Sequence, residues 1–130
     1  MTFYSVPRLF FFWHRAITLW WPWRAAPRIY IPRSRAPEYI PATLAHESVH
    51  VAQWTRLGRV GFLRLYLTKR GRTELEAEAY AASVRYWRAV GVTLDTEGVP
   101  MADAYARAMS EEYGGLSEVE ARAAIARFLA

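Results

Sequence analysis

Residues 41–57 read PATLAHESVHVAQWTRL and are followed at once by Gly58. Proline has a fixed φ and no N–H to lose, so Pro41 suits a first helical turn. A glycine just past the last apolar residue is a common helix stop. The stretch therefore predicts a helix from about Pro41 to Leu57, with Leu44, Val51 and Trp54 sharing much of one face with His50. Inside it, His46-Glu47-Ser48-Val49-His50 has the form HExxH. Residues four apart on a helix lie on the same face, so both imidazoles can reach one ion.

That pattern is the ligand pair of a zinc site. Zinc accepts neutral imidazole nitrogens, and a catalytic site adds a third protein ligand and an open position for water. Glu47 is offset by one residue, which sets its carboxylate beside the water rather than on the metal. There it can act as the general base of an amide hydrolysis, so the expected activity is that of a zinc metallopeptidase, a hydrolase. No histidine follows His50, which excludes the three-histidine HExxHxxGxxH arrangement. The third ligand must be an acid, and Glu74, Glu76 and Glu78 are the candidates on the next long helix.

Outward from residues 41–57 the chain reads as helices with short punctuation. Residues 60–69 form a second, shorter helix, stopped at Gly71. Thr73 with Glu76 reads as a capping box opening a third helix that runs to about Val90. That box gives Glu76 a role competing with metal binding. Spacing along this helix puts Glu76 at the border of the side marked by Leu75, Ala79, Ala82 and Tyr86. Residues 94–99 are a loop, Pro100 to Tyr113 a fourth helix, and Ser117 with Glu120 caps a last helix over 118–129. On the other side, RIYIP at 28–32 is a short edge strand ending in proline, expected near the HExxH helix. The fold class is mostly α (α+β), with one or two short strands near residue 30.

HESVHVAQW (46–54), RLGRVGFLRLYL (56–67) and ELEAEAYA (74–81) together resemble the small gluzincin-type metallopeptidase domains. The resemblance runs from about Arg28 to Trp87. It implies a compact minimal zincin, a zinc cofactor and a peptide or protein substrate. It also implies that Glu76, the first Glu of the ExEAY-like segment, is the third ligand beside His46 and His50. Thr73-Glu74 stands where family members often carry Asn-Pro. For supporting roles, Gln53 could orient a ligand, and Tyr66, Tyr80 and Tyr86 are candidates for the oxyanion donor that peptide hydrolysis needs.

The chain has 130 residues and a hydrophobic fraction of 53%, enough for one domain with a real core. It has no cysteine, so neither a disulfide nor a thiolate metal site can form. Arg8, Arg15, Arg24, Arg28, Arg33 and Arg35 stand in residues 1–37 with no acid, whereas residues 73–130 carry ten acids against five Arg. Residues 1–27 form an aromatic and basic N-terminal segment. Its stretch LFFFWHRAITLWWPW (9–23) is too short to span a bilayer and is interrupted by His14 and Arg15, so it reads as an amphipathic helix. His14 reads as structural. Phe10, Phe11, Phe12, Trp13, Trp20, Trp21 and Trp23 should cover the core or dock on a protein partner. Neither nucleic acid nor a membrane span is expected.

A second class of function competes with the enzyme. So small a chain with so large an N-terminal segment could be a structural or assembly component, of a phage particle or an envelope complex, that keeps a zincin-like metal site as a staple. Arginine far outnumbers lysine, and the chain holds one Gln and no Asn. Scarce amides would suit a thermophile, while a GC-rich genome would also give the arginine excess, and a bacterial or phage source is expected. The sequence leaves the compartment open.

Overall fold

The computed structural model describes residues 3–6, 15–113 and 115–130. Among them the chain is mostly helical with one small sheet, the expected class. Strands β1 (Phe3–Val6), β2 (Ile17–Leu19) and β3 (Arg28–Pro32) are ordered β1-β3-β2, with β1 parallel and β2 antiparallel to β3. A 3-10 turn at Pro37–Tyr39 leads into α1 (Ile40–Tyr66), α2 (Lys69–Ala89), α3 (Met101–Glu112) and α4 (Glu118–Leu129).

Two expectations near the N-terminus are corrected. β3 is the middle strand and not an edge: Ile29 and Ile31, two residues apart and hence on one face, are each 1% exposed. Its proline misleads because Pro32 is the last strand residue, where losing one donor costs little. The segment expected as a helix over 9–23 contains β2 instead. Ile17 and Thr18 are β-branched and stiff at χ1, which favours the pleated conformation over a helix. Residues 7–14, with Phe10, Phe11, Phe12, Trp13 and His14, lie outside the described residues. β1 is a further strand with no clear signal in the sequence.

Gly58 breaks α1 where the sequence places a stop. Its φ of 75° and ψ of 168° are non-helical, and the helix resumes at once on a new heading to Tyr66. α2 begins earlier than expected. Its N-cap is Thr68, whose hydroxyl accepts from the Gly71 N–H at 3.0 Å, while Thr73 lies inside the helix and donates to the Lys69 carbonyl. Gly71 is not a stop but a point of close approach: a Cβ there would stand 2.2 Å from the Leu65 carbonyl oxygen. Only Leu67 and Thr68 join α1 to α2, so the two pack as a helical hairpin. α3 and α4 follow their expected spans, with Ser117 capping α4 through the Glu120 N–H at 3.1 Å.

α2 separates two interiors. Ala77, Ala81 and Val84 pack with Ala102, Ala106, Met109, Ala121, Ala124 and Ile125 of α3 and α4. Leu75, on the α1 side, packs with Trp54 and Phe62. Among the described residues no helix is long and apolar enough to cross a membrane.

Candidate metal centre

The helical hairpin brings α2 against the HExxH turn of α1. Glu76 of α2 then faces His46 and His50 of α1. Glu76 Oε2 lies 3.2 Å from His46 Nε2, Glu76 Oε1 lies 3.2 Å from His50 Nε2, and the two Nε2 atoms are 3.1 Å apart. Donors bonded to one zinc at about 2.0–2.1 Å in a tetrahedron stand about 3.3 Å from one another. The two imidazole nitrogens stand at about that spacing, each faces a different Glu76 oxygen, and these three residues are the group among those described that could hold a metal ion. Glu74 and Glu78 do not join it. Glu74 pairs with Arg127 of α4, and Glu78 lines a groove with Arg56 and Phe128.

Hydrogen bonds and ring contacts fix the two imidazoles. Gln53, one turn beyond His50 and fully buried, accepts at Oε1 from His50 Nδ1 at 2.8 Å. Its amide nitrogen donates to the Leu75 carbonyl at 3.0 Å, which fixes which end of the amide faces the ring. With the proton held on Nδ1, the neutral ring turns its Nε2 lone pair toward the cluster. Phe62 stands edge-on to His50, and Phe62 is stacked in turn between Trp54 and Tyr66. The Tyr80 ring stands edge-on to His46, 4.3 Å between centroids.

The electrostatics follow from burial and pairing. Burial alone would lower the His50 pKa, but the Glu76 carboxylate against it wins and raises it to about 9. Burial would raise Glu76, yet the two imidazoles hold it well below the usual carboxylate range. In the absence of metal this is a buried ion pair. A metal ion held there would supply the positive charge in place of the proton.

Glu47 lies on the next position of the α1 turn, buried, with Oε1 4.0 Å from His46 Nε2. Its other oxygen accepts from the Thr18 hydroxyl of β2 at 2.7 Å. Of the tyrosines considered as oxyanion donors, Tyr66 donates to Glu76 Oε1 at 3.0 Å and also meets the Tyr113 hydroxyl at 3.0 Å. Burial and the Glu76 charge push the Tyr66 hydroxyl up, so it remains a donor. Tyr80 donates to Glu112, which also pairs with Arg15. Tyr86 packs on Trp87, away from the cluster. Thr18, Tyr113 and Glu112 are site neighbours that the sequence reading missed. They lie 29 to 66 residues from Glu47 along the chain, beyond any local spacing signal.

No family model matches the chain, and no curated protein or solved structure matches it either.

Proposed function

We propose that this chain is a zinc-dependent metallopeptidase in which His46, His50 and Glu76 hold the metal and Glu47 is the general base. The observation that carries the proposal is the convergence of His46, His50 and Glu76, from two helices, with one ligand atom of each within 4.8 Å of the others. Catalytic zinc sites use donor sets of this kind, His₂Glu, and leave a fourth position for water. When bound there, zinc would polarise the scissile carbonyl and lower the pKa of water.

The protein's own groups do the rest. Glu47 takes the proton of the attacking water and returns it to the leaving nitrogen, a transfer that needs a carboxylate beside the donors but not among them. Gln53 keeps His50 in the tautomer whose Nε2 can bind metal. Tyr66 holds one Glu76 oxygen, which orients the carboxylate toward both imidazoles.

Metal analysis and one variant test this reading. The purified protein, folded with zinc present, should hold about one zinc per chain. Glu47→Gln should keep that zinc and lower peptide hydrolysis by at least about a hundredfold, the usual contribution of a general base. A protein without metal, or a Glu47→Gln variant as active as its parent, refutes the assignment.

One observation favours a second reading. Glu47, His50 and Glu76 are each no more than 5% exposed, as suits a metal that staples an assembly component. Such a staple has no use for Glu47. Under that reading Glu47→Gln leaves every property intact, and loss of zinc unfolds the chain.

A further inference from the structure

We infer that Thr18 is a positioning residue for Glu47, holding one carboxylate oxygen so that the other faces the His46–His50–Glu76 cluster. The inference rests on the reading of Glu47 as general base and adds a residue to it from outside the helical hairpin. A threonine hydroxyl has a single proton to donate. Two acceptors lie within reach of Thr18 Oγ1, Glu47 Oε2 at 2.7 Å and the Glu47 carbonyl at 3.2 Å. The proton goes to the nearer and charged one, since bonds to a carboxylate are shorter and stronger. That leaves Oε1, 4.0 Å from His46 Nε2, as the oxygen turned to the donors.

The hydroxyl is itself held firmly. Thr18 is 5% exposed and sits at the centre of β2, opposite Ile29 of β3. Its carbonyl accepts from Trp54 Nε1 at 3.2 Å, and Trp54 is stacked on Phe62. Its branched Cβ restricts χ1. The strand thus reaches the HExxH helix at two points: side chain to base, and backbone to the tryptophan two turns further along. A base that must accept and return a proton gains from being held in one rotamer. Without the hydroxyl, Oε2 would be a buried acceptor short of a donor, a state that costs enough for the carboxylate to turn away.

Thr18→Val removes the hydroxyl and keeps the shape, and Thr18→Ser returns the hydroxyl. With zinc loaded, Thr18→Val should lower kcat for peptide hydrolysis by about tenfold to a hundredfold, the range typical of groups that orient others. KM and zinc affinity should be unchanged, and Thr18→Ser should recover most of the loss. Crystal structures of the zinc-loaded variants read the same point without any substrate. The Glu47 carboxylate should leave its rotamer in Thr18→Val and keep it in Thr18→Ser. An unmoved carboxylate in Thr18→Val, an unchanged or raised kcat, or loss of zinc overturns the inference. Failure of the general-base reading shows itself elsewhere, as full activity in Glu47→Gln. If the parent hydrolyses nothing, the carboxylate position alone decides on Thr18.

Discussion

On one side of α2, Ala77, Ala81 and Val84 meet an interior built of Ala102, Ala106, Met109, Ala121, Ala124 and Ile125. On the other side, Glu76 meets His46 and His50, and Thr18, Glu47 and Gln53 are buried with them. The first interior is held by volume and pattern, and apolar residues of similar size could replace its members. The second tolerates no such exchange. Burying a polar group costs several kcal/mol unless it is partnered. There the partners are specific: Gln53 joins the His50 ring to the Leu75 carbonyl, Tyr66 holds Glu76, and Thr18 holds Glu47. A small domain gains stability from the first interior and gives some up in the second, which is what a functional site looks like from its energetics.

The largest test of this contrast is removal of the one residue that defines the polar side of α2. Glu76→Ala should weaken zinc binding by orders of magnitude, because it removes a ligand carboxylate. Glu74→Ala and Glu78→Ala, which remove acids outside the cluster, should cost about tenfold at most. Competition against a chelator of known affinity measures all three. If Glu78→Ala strips the zinc and Glu76→Ala keeps it, the polar interior is not the metal site.

How legible these two interiors were in the sequence differs, for a physical reason. His46, Glu47 and His50 stand within five residues, and a helix alone brings them together. The lengths of α3 and α4 followed from local caps and glycines, as with Ser117. Glu76 needed more, since three acids share its helix and only packing against α1 selects one. Resemblance and, more weakly, helical spacing leaned to it, and in the structure it lies with the two histidines. Thr18 could not be read at all. It reaches Glu47 across 29 residues from a segment whose aromatic run fits helix or strand equally well. β3 as a central strand was hidden in the same way, because strand order depends on β1 and β2, which are distant in sequence or weakly signalled.

The polar interior also predicts a pH dependence that the apolar one cannot produce. In the metal-free protein His50 has its pKa raised to about 9 by Glu76 against the opposing effect of burial. A raised folded-state value gives stability that is complete below the unfolded value of about 6.5 and lost as pH rises toward about 9. Glu76, with its value lowered by the two imidazoles despite burial, gives stability present above its unfolded value and lost as pH falls. The metal-free protein should therefore lose urea resistance between pH 6.5 and about 9, and Glu76→Gln should lose much less over that range. Zinc, if it binds as proposed, should reverse the trend, because its binding would displace the His50 proton and tighten as pH rises. Urea midpoints of both proteins, with and without zinc, test this. Equal pH profiles for the parent and Glu76→Gln without metal would show that the His50–Glu76 pair is not formed.

The smallest effect falls at the joint between α1 and α2, which sets the register of Glu76. The sequence places the cap of this helix at Thr73, because Glu76 follows it at the capping-box distance. In the structure Thr68 caps, accepting from the Gly71 N–H, and Thr73 is four residues into the helix with its hydroxyl on the Lys69 carbonyl. The difference decides whether Glu76 is free, since a capping-box glutamate would be turned back to the helix start and away from His46 and His50. Loss of a cap costs about 1 kcal/mol, whereas a mid-helix threonine that bonds backward to a carbonyl contributes little or slightly weakens the helix. Thr68→Ala should therefore destabilise the protein by about 1 kcal/mol, and Thr73→Ala should fall within about 0.5 kcal/mol of the parent. Urea unfolding of the two zinc-free variants separates the cases. A larger loss from Thr73→Ala than from Thr68→Ala would place the helix start five residues later, turn Glu76 back to its cap, and take the third ligand out of the metal centre.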